Sequence, residues 1–156
     1  MSLSKNISIL NKKAKFEYNL LQRYIAGIQL TGTEIKSIRN NNVSISQSYC
    51  VIVNSEIWIK KMHIAKYDFG SYNNHLPERD KKLLLKKIEI AKIEKILKNE
   101  GLTLIPIKLF INNRGLAKIE ISVAKGRKLH DKRQYLRDKS DKIKIQKLLI
   151  DKKKGD

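Results

Sequence analysis

Hydrophobic and polar residues alternate most clearly between residues 105 and 123. Ile105, Ile107, Leu109 and Ile111 fall on one face of an extended run; Ala117, Ile119, Ile121 and Val123 return with Lys118, Glu120 and Ser122 opposite them. Strict alternation marks a half-buried strand, and Asn112-Asn113-Arg114-Gly115 supplies the turn between the two runs. Pro106 cannot donate to a ladder, so its strand is expected at an edge or with a bulge. Two further β-rich runs, Ser48 to Val53 and Glu56 to Ile64, flank Asn54-Ser55, a two-residue hairpin connection. On the second of these, Trp58, Lys60, Met62 and Ile64 share one face, and Ile57, Ile59, Lys61 and His63 the other.

The rest of the pattern is less regular. Residues 1–15 are polar and basic, and are expected to be flexible at the start. Phe16, Leu20, Leu21 and Tyr24 fit a helix or an extended segment, and Ile25 to Leu30 reads as a strand with Gly27 permitting close approach or a bulge. Thr31-Gly32-Thr33-Glu34 turns into a short helix, Glu34 to Arg39, with Thr33 as N-cap, Ile35 and Ile38 inward, and Lys36 and Arg39 outward. Residues 65–80 form the long loop of the domain. Lys82-Leu83-Leu84-Leu85 is a short apolar run before a helix from Ile88 to Glu100, which Gly101 stops. Strands with two or three inserted helices predict a mainly β fold: a small antiparallel oligonucleotide-binding-like β-barrel.

At Lys125 the alternation gives way to charge. From Lys125 to Asp156 there are thirteen Lys or Arg against five Asp, a net +8 of the chain's +19. Three parts follow: a basic N-terminal segment at 1–15, a β-barrel core at 16–124 and a basic tail at 125–156, disordered or helical. A pI near 10.0 speaks of partners and not of fold, and favours nucleic acid or another polyanion. The lone Cys50 lies in an apolar run, where a small buried residue is expected; it can form neither an internal disulfide nor a multi-thiolate metal site. No run approaches the roughly 18 apolar residues of a membrane helix. A monomer in a reduced cytoplasmic setting, away from membranes, is the expectation.

Catalytic chemistry finds little support. His63, His75 and His130 lie outside metal-ligand spacing of one another and of Cys50, and neither a Walker loop nor a dinucleotide fingerprint occurs. His63, in a β run, is expected to be a hydrogen-bonded structural histidine, and His75, in a polar loop, to be solvated. The reading is a protein that is not an enzyme and uses no cofactor or metal. Basic residues beside aromatics are more telling, because phosphate contact plus stacking holds single strands and loops of RNA. Candidates are Lys12, Lys13, Lys15, Phe16, Lys36, Arg39, Lys66, Tyr67, Tyr72, Arg127, Lys128 and His130.

The chain resembles the small protein B family, the SsrA-binding proteins of bacterial ribosome rescue. The resemblance rests on an ordered series of blocks. These are Asn11-Lys12-Lys13-Ala14 with Tyr18, Ala26-Gly27-Ile28, Gly32-Thr33-Glu34-Ile35-Lys36-Ser37-Ile38-Arg39, Ser48-Tyr49, Met62-His63-Ile64 and Lys82-Leu83-Leu84-Leu85. Gly101 to Phe110 and Lys125 to Arg133 complete the series. It implies a core that grips the tRNA-like domain of transfer-messenger RNA (tmRNA) through Asn11, Lys12, Lys13, Lys36, Arg39 and Leu84. It also implies a tail that serves the stalled ribosome through Arg127, Lys128, His130, Asp131, Lys132 and Arg133, entering the empty mRNA channel of the small subunit beyond the decoding centre. Elongation factor Tu and alanyl-tRNA synthetase are the indirect partners it implies. Two positions depart from the family pattern: Ile25 stands where an acidic residue is usual, and Asn41-Asn42 replaces a Gly-Lys turn. The alternative reading is a ribosomal protein or another small rRNA-binding protein.

In the tail, Leu129, Leu136, Ile143 and Ile150 recur every seven residues. Their helical neighbours are mostly polar: Lys132, Lys139 and Gln146 three residues on, and Arg133, Ser140 and Lys147 four residues on. A self-sustaining surface helix needs an apolar stripe of at least about 100°, so this tail is expected to be coil when free and helix on its partner. The competing expectation is a helix held on the core by Leu148 and Leu149.

Overall fold

The computed structural model describes residues 6–70 and 72–154. The chain begins with β1 (Ser8–Leu10), α1 (Lys12–Glu17), β2 (Tyr18–Ile28) and α2 (Gly32–Arg39). It continues through β3 (Val43–Ser44), β4 (Tyr49–Val53), β5 (Glu56–Lys60), β6 (His63–Ile64) and β7 (Lys81–Leu84). Then follow α3 (Lys87–Leu97), β8 (Leu102–Ile111), β9 (Ala117–Gly126) and α4 (Leu129–Lys154). All ladders are antiparallel. They run β8-β4-β5-β7-β2-β9, and β9 pairs again with β8, so the pairing returns to its start. Strand β1 adds to β8, and β3 with β6 makes a separate two-stranded sheet. No helix among the described residues is long and apolar enough to cross a membrane.

Bulges explain where the apolar pattern misleads. Between Leu20↔Ala124 and Arg23↔Ser122 strand β2 carries one extra residue. A bulge shifts the side-chain phase. Tyr24, Ala26 and Ile28 therefore join the main core, whereas Tyr18 and Leu20 pack on a second cluster of Ala14, Ile105 and Ala124. That shift gives Phe16 to Tyr24 its helix-like spacing although most of it is extended. Strand β8 repeats the device at Ile107, between Pro106↔Ile121 and Lys108↔Glu120. The run from Ile105 to Ile111 is thus split: Leu104 and Leu109 enter the main core, and Ile105 goes to the second cluster under α1. Pro106 carries the bulge its missing donor calls for.

The β4–β5 hairpin turns at Asn54 and Ser55, with φ of 51° and 60°, the positive values of a two-residue hairpin turn. Beyond it the expected faces hold only as far as Lys60. Lys61 has φ 58°, and this kink moves burial from Ile57 and Ile59 to Met62 and Ile64. His63 is consequently exposed, while His75 is buried and hydrogen-bonded. The two histidines exchange the environments expected for them. Helix α2 starts earlier than expected, with Thr31 and not Thr33 as N-cap. It ends at Arg39 with Asn40 as C-cap, and Asn41 just beyond has a φ of 61°, one that Asn tolerates.

The flexibility expected at the very start falls on residues outside the described ones; in the described part of the N-terminal segment Ile7 and Ala14 are buried, and β1 pairs with β8. Strand β9 extends to Gly126, two residues past the end that alternation suggests. Helix α4 has 26 residues and almost no cover; among those whose burial is described, only Lys132 and Tyr135 are partly buried. Leu148 and Leu149 are exposed and do not anchor it to the sheet.

Candidate nucleic-acid interface

Helix α2 is fastened from below. Glu34 and Lys81 are both completely buried. Glu34 Oε1 accepts from Arg79 Nη2 at 2.6 Å and from the Thr31 backbone N–H at 2.9 Å; Lys81 Nζ lies 3.5 Å from Oε2. Lys81 also donates to the Arg79 carbonyl at 2.6 Å and the Met62 carbonyl at 3.4 Å. A buried charge is tolerable only when paired and hydrogen-bonded in this way. Burial pushes the Glu34 carboxyl up, but the Arg79 bond, the Thr31 N–H and the Lys81 charge outweigh it and leave it below its ordinary value. Burial likewise lowers the Lys81 ammonium, against the pull of Glu34. The two side chains, with Arg79, hold one another beneath the helix.

The same fastening holds the long loop. His75 Nδ1 meets Thr33 Oγ1 at 2.9 Å, and Nε2 meets the Ile64 carbonyl at 2.9 Å. The Ile64 N–H donates to the Pro77 carbonyl at 2.9 Å. With its underside committed, α2 offers Lys36 and Arg39 to solvent. Lys36 Nζ sits 5.5 Å from the centre of the Tyr67 ring. A cation so placed is worth about 0.5–1 kcal/mol at an exposed site, too little to prevent it from turning to a phosphate.

Leu84 lies on β7, opposite Gly27 of β2. A Cβ at Gly27 would stand 3.3 Å from Leu84 Cβ and 3.7 Å from Lys118 Nζ, so glycine lets the leucine and a cation close over the strand. Ile25, two residues before Gly27, is 60% exposed and Leu84 47%, which makes a small apolar patch edged by Lys118.

A third group surrounds α1. Lys12 and Lys13 are exposed, but Asn11 is only 6% exposed. Its Nδ2 donates to the Pro106 carbonyl at 2.9 Å and its backbone N–H to the Ile107 carbonyl at 2.7 Å, which ties α1 to the β8 bulge. Its Oδ1 has no partner among the described residues and borders a cleft of about 160 Å³ shared with Lys13, Tyr18, Ser48 and Thr103. The tail is rooted beside it. The Arg127 N–H donates to the Glu17 carbonyl at 2.9 Å, the Arg127 guanidinium covers Tyr135 at 4.3 Å, and Lys132 covers Phe16 at 5.9 Å. Lys128, His130, Asp131 and Arg133 are exposed on α4 or just before it. Among the described residues no hydrogen bond, ion pair or cation–π contact joins the exposed candidates themselves, Lys12 and Lys13 on α1, Lys36 and Arg39 on α2, and Leu84 on β7; α2 and β7 meet only underneath, through Glu34 and Lys81.

The sequence matches the SmpB protein family over residues 8–151, from β1 through most of α4. The chain belongs to this family. It is 52% identical over 136 residues to the SsrA-binding protein of Phocaeicola vulgatus, covering 87% of this chain and 91% of that one. The SsrA-binding protein of Cytophaga hutchinsonii is 51% identical over 146 residues, covering 94% and 95% respectively. A solved chain described as "tmRNA-SmpB: a journey to the center of the bacterial ribosome" superposes with a TM-score of 0.67 at 38% identity, covering 79% of this chain and 86% of that one.

Sequence reasoning missed Lys81 and Arg79, because a buried lysine gives no signal apart from sitting next to an apolar run. It also missed Phe69, which stands almost free in solvent beside Tyr67.

Proposed function

We propose that this chain is an RNA-binding translation factor that binds the tRNA-like domain of tmRNA and brings it to stalled ribosomes. The observation that carries this reading is the extent of the family match, which crosses from the sheet into the basic helix without a break. Core and tail then divide the work, with boundaries near residues 16, 124 and 156. The ring of strands acts as an oligonucleotide-binding-like barrel. Lys36 and Arg39 neutralise phosphates from α2, Lys12 and Lys13 do so from α1, and Leu84 with Ile25 supplies an apolar contact. Asn11 contributes from beneath, by fixing α1 on β8. Arg127, Lys128, His130, Asp131, Lys132 and Arg133 serve the ribosome: α4 lies in the empty mRNA channel beyond the decoding centre, so a vacant channel is sensed by what can enter it. Elongation factor Tu and alanyl-tRNA synthetase act on the same tmRNA, and the protein works in the cytoplasm, as a monomer and without catalysis of its own. The ribosomal-protein alternative is less favoured, because the relatives are named for binding SsrA RNA.

Salt dependence tests the core surface. Each phosphate contacted contributes about −0.7 to −0.9 to the log–log slope of affinity against salt. Lys36→Ala is expected to weaken binding of the tRNA-like domain and to flatten the slope by about one unit. Lys92→Ala, on the exposed side of α3, is the control and should titrate as wild type. Equal titrations of the two variants would move the interface away from α2.

A further inference from the structure

The long loop between β6 and β7 presents aromatic surface that the fold does not use. Phe69 is 86% exposed although its ring alone is worth about 1.5–3 kcal/mol when buried. It stands edge-to-face with Tyr67, ring centres 5.7 Å apart and planes at 66°. Tyr67 in turn carries Lys36 over its face at 5.5 Å.

This presentation is built. Asn74 Nδ2 donates to the Tyr67 carbonyl at 2.8 Å, and Asn74 Oδ1 accepts the Tyr67 N–H at 3.2 Å and the His75 N–H at 3.1 Å. The Gly70 N–H closes on the Tyr67 carbonyl at 2.9 Å, and a Cβ at Gly70 would crowd Asn74 Nδ2 at 2.7 Å, so glycine leaves room for the bonds that Asn74 makes. Below it the His75, Arg79 and Glu34 bonds fasten the loop to α2. A flat ring is thus held out on a pinned loop, with a lysine on the neighbouring ring and Lys66 exposed next in sequence to Tyr67.

We propose that Phe69 is a stacking platform for an unpaired nucleobase of the RNA, with Lys36 taking the adjoining phosphate. The proposal rests on the RNA-binding reading above and deepens it. A base has a face to stack on a bare ring and a charged backbone to meet the lysine; an apolar protein surface would satisfy the ring but leave the cation unmet. Lys36 and Phe69 make two different contributions, one releasing counterions and the other not.

The test uses the full chain and a transcript of the tRNA-like domain, titrated at several salt concentrations, with a fully paired RNA duplex as second probe. Phe69→Ala and Phe69→Leu are expected to weaken transcript binding by roughly 5- to 100-fold at every salt concentration, the span of one base–aromatic stack, with the slope unchanged. Phe69→Trp should bind as wild type, because flatness and not apolarity is what stacking needs. Duplex binding should be the same for all three variants and wild type. Since Phe69 is exposed, thermal melting should show all of them folded. Wild-type affinity in Phe69→Leu, an equal loss on the duplex, or intact RNA binding with lost rescue would each overturn the platform, the last by pointing to a protein partner. If Lys36→Ala weakens binding and Phe69→Ala does not, the platform fails alone; if wild type does not bind the transcript, the underlying RNA reading fails.

Discussion

A chain ending at Lys128 is expected to bind the tRNA-like domain within a few-fold of the full chain and to support no peptide tagging on stalled ribosomes. The place of the cut follows from the ladders. Strand β9 pairs through Lys125↔Leu102 and Gly126↔Tyr18, and the Arg127 N–H still reaches the Glu17 carbonyl. Ending at Val123 would remove these bonds and Ala124, which fills the second cluster with Ala14 and Ile105. Ending at Lys128 removes α4, which touches the core only near its start, through two cation–π pairs worth about 0.5–1 kcal/mol each and the packing of Lys132 and Tyr135 near α1. The core should therefore melt at nearly the same temperature, and Lys36 and Arg39 remain in place. Peptide tagging in a reconstituted system, run beside RNA binding, checks both halves. Full tagging by the truncated chain would end the division of labour.

Lys139→Pro is expected to leave core stability and tmRNA binding at wild-type level while removing most rescue activity. Lys139 lies in the interior of α4, where proline costs a helix about 3 kcal/mol but costs a coil little. Helix α4 has no apolar face buried against the sheet: the exposed Leu129, Leu136 and Ile143 stand in single file, and Ile145, Leu148, Leu149 and Ile150, exposed as well, widen the stripe only near the end. The thirteen cations from Lys125 onward repel one another until phosphates surround them. Its helical form is therefore expected to depend on the partner, where a break in it would be felt. Amide exchange across residues 130–150 of the free protein checks the premise: fast exchange is expected, and strong protection would show a tail that folds without the ribosome. Rescue at wild-type level by Lys139→Pro would mean that the tail acts as an extended chain.

Much of the sheet was readable because alternation and turn residues agree. Asn54-Ser55, Asn112 to Gly115 and the run from Ala117 to Val123 occupy the places their chemistry predicts. What misled was phase. Each of the three displaced faces, at Leu21, Lys61 and Ile107, follows an extra residue or a positive φ, and a period-two pattern cannot show a slip it does not contain. The candidate site divides the same way. Lys36 and Arg39 were readable as the outer side of a short amphipathic helix, and they are exposed. The Glu34–Arg79–Lys81 lock was not, since its members are up to 47 residues apart and only the tertiary fold shows that they meet. Asn11 was readable through the resemblance alone; its bond to the Pro106 carbonyl crosses 95 residues of sequence.

Recovering the protein from an extract of its own cells, and sequencing the RNA that comes with it, tests its role in tmRNA binding most directly. The expected result is that tmRNA dominates the recovered RNA, survives removal of the tail after Lys128 and falls in the Lys36→Ala variant. Recovery of ribosomal RNA alone, or of no enriched RNA, would contradict that role.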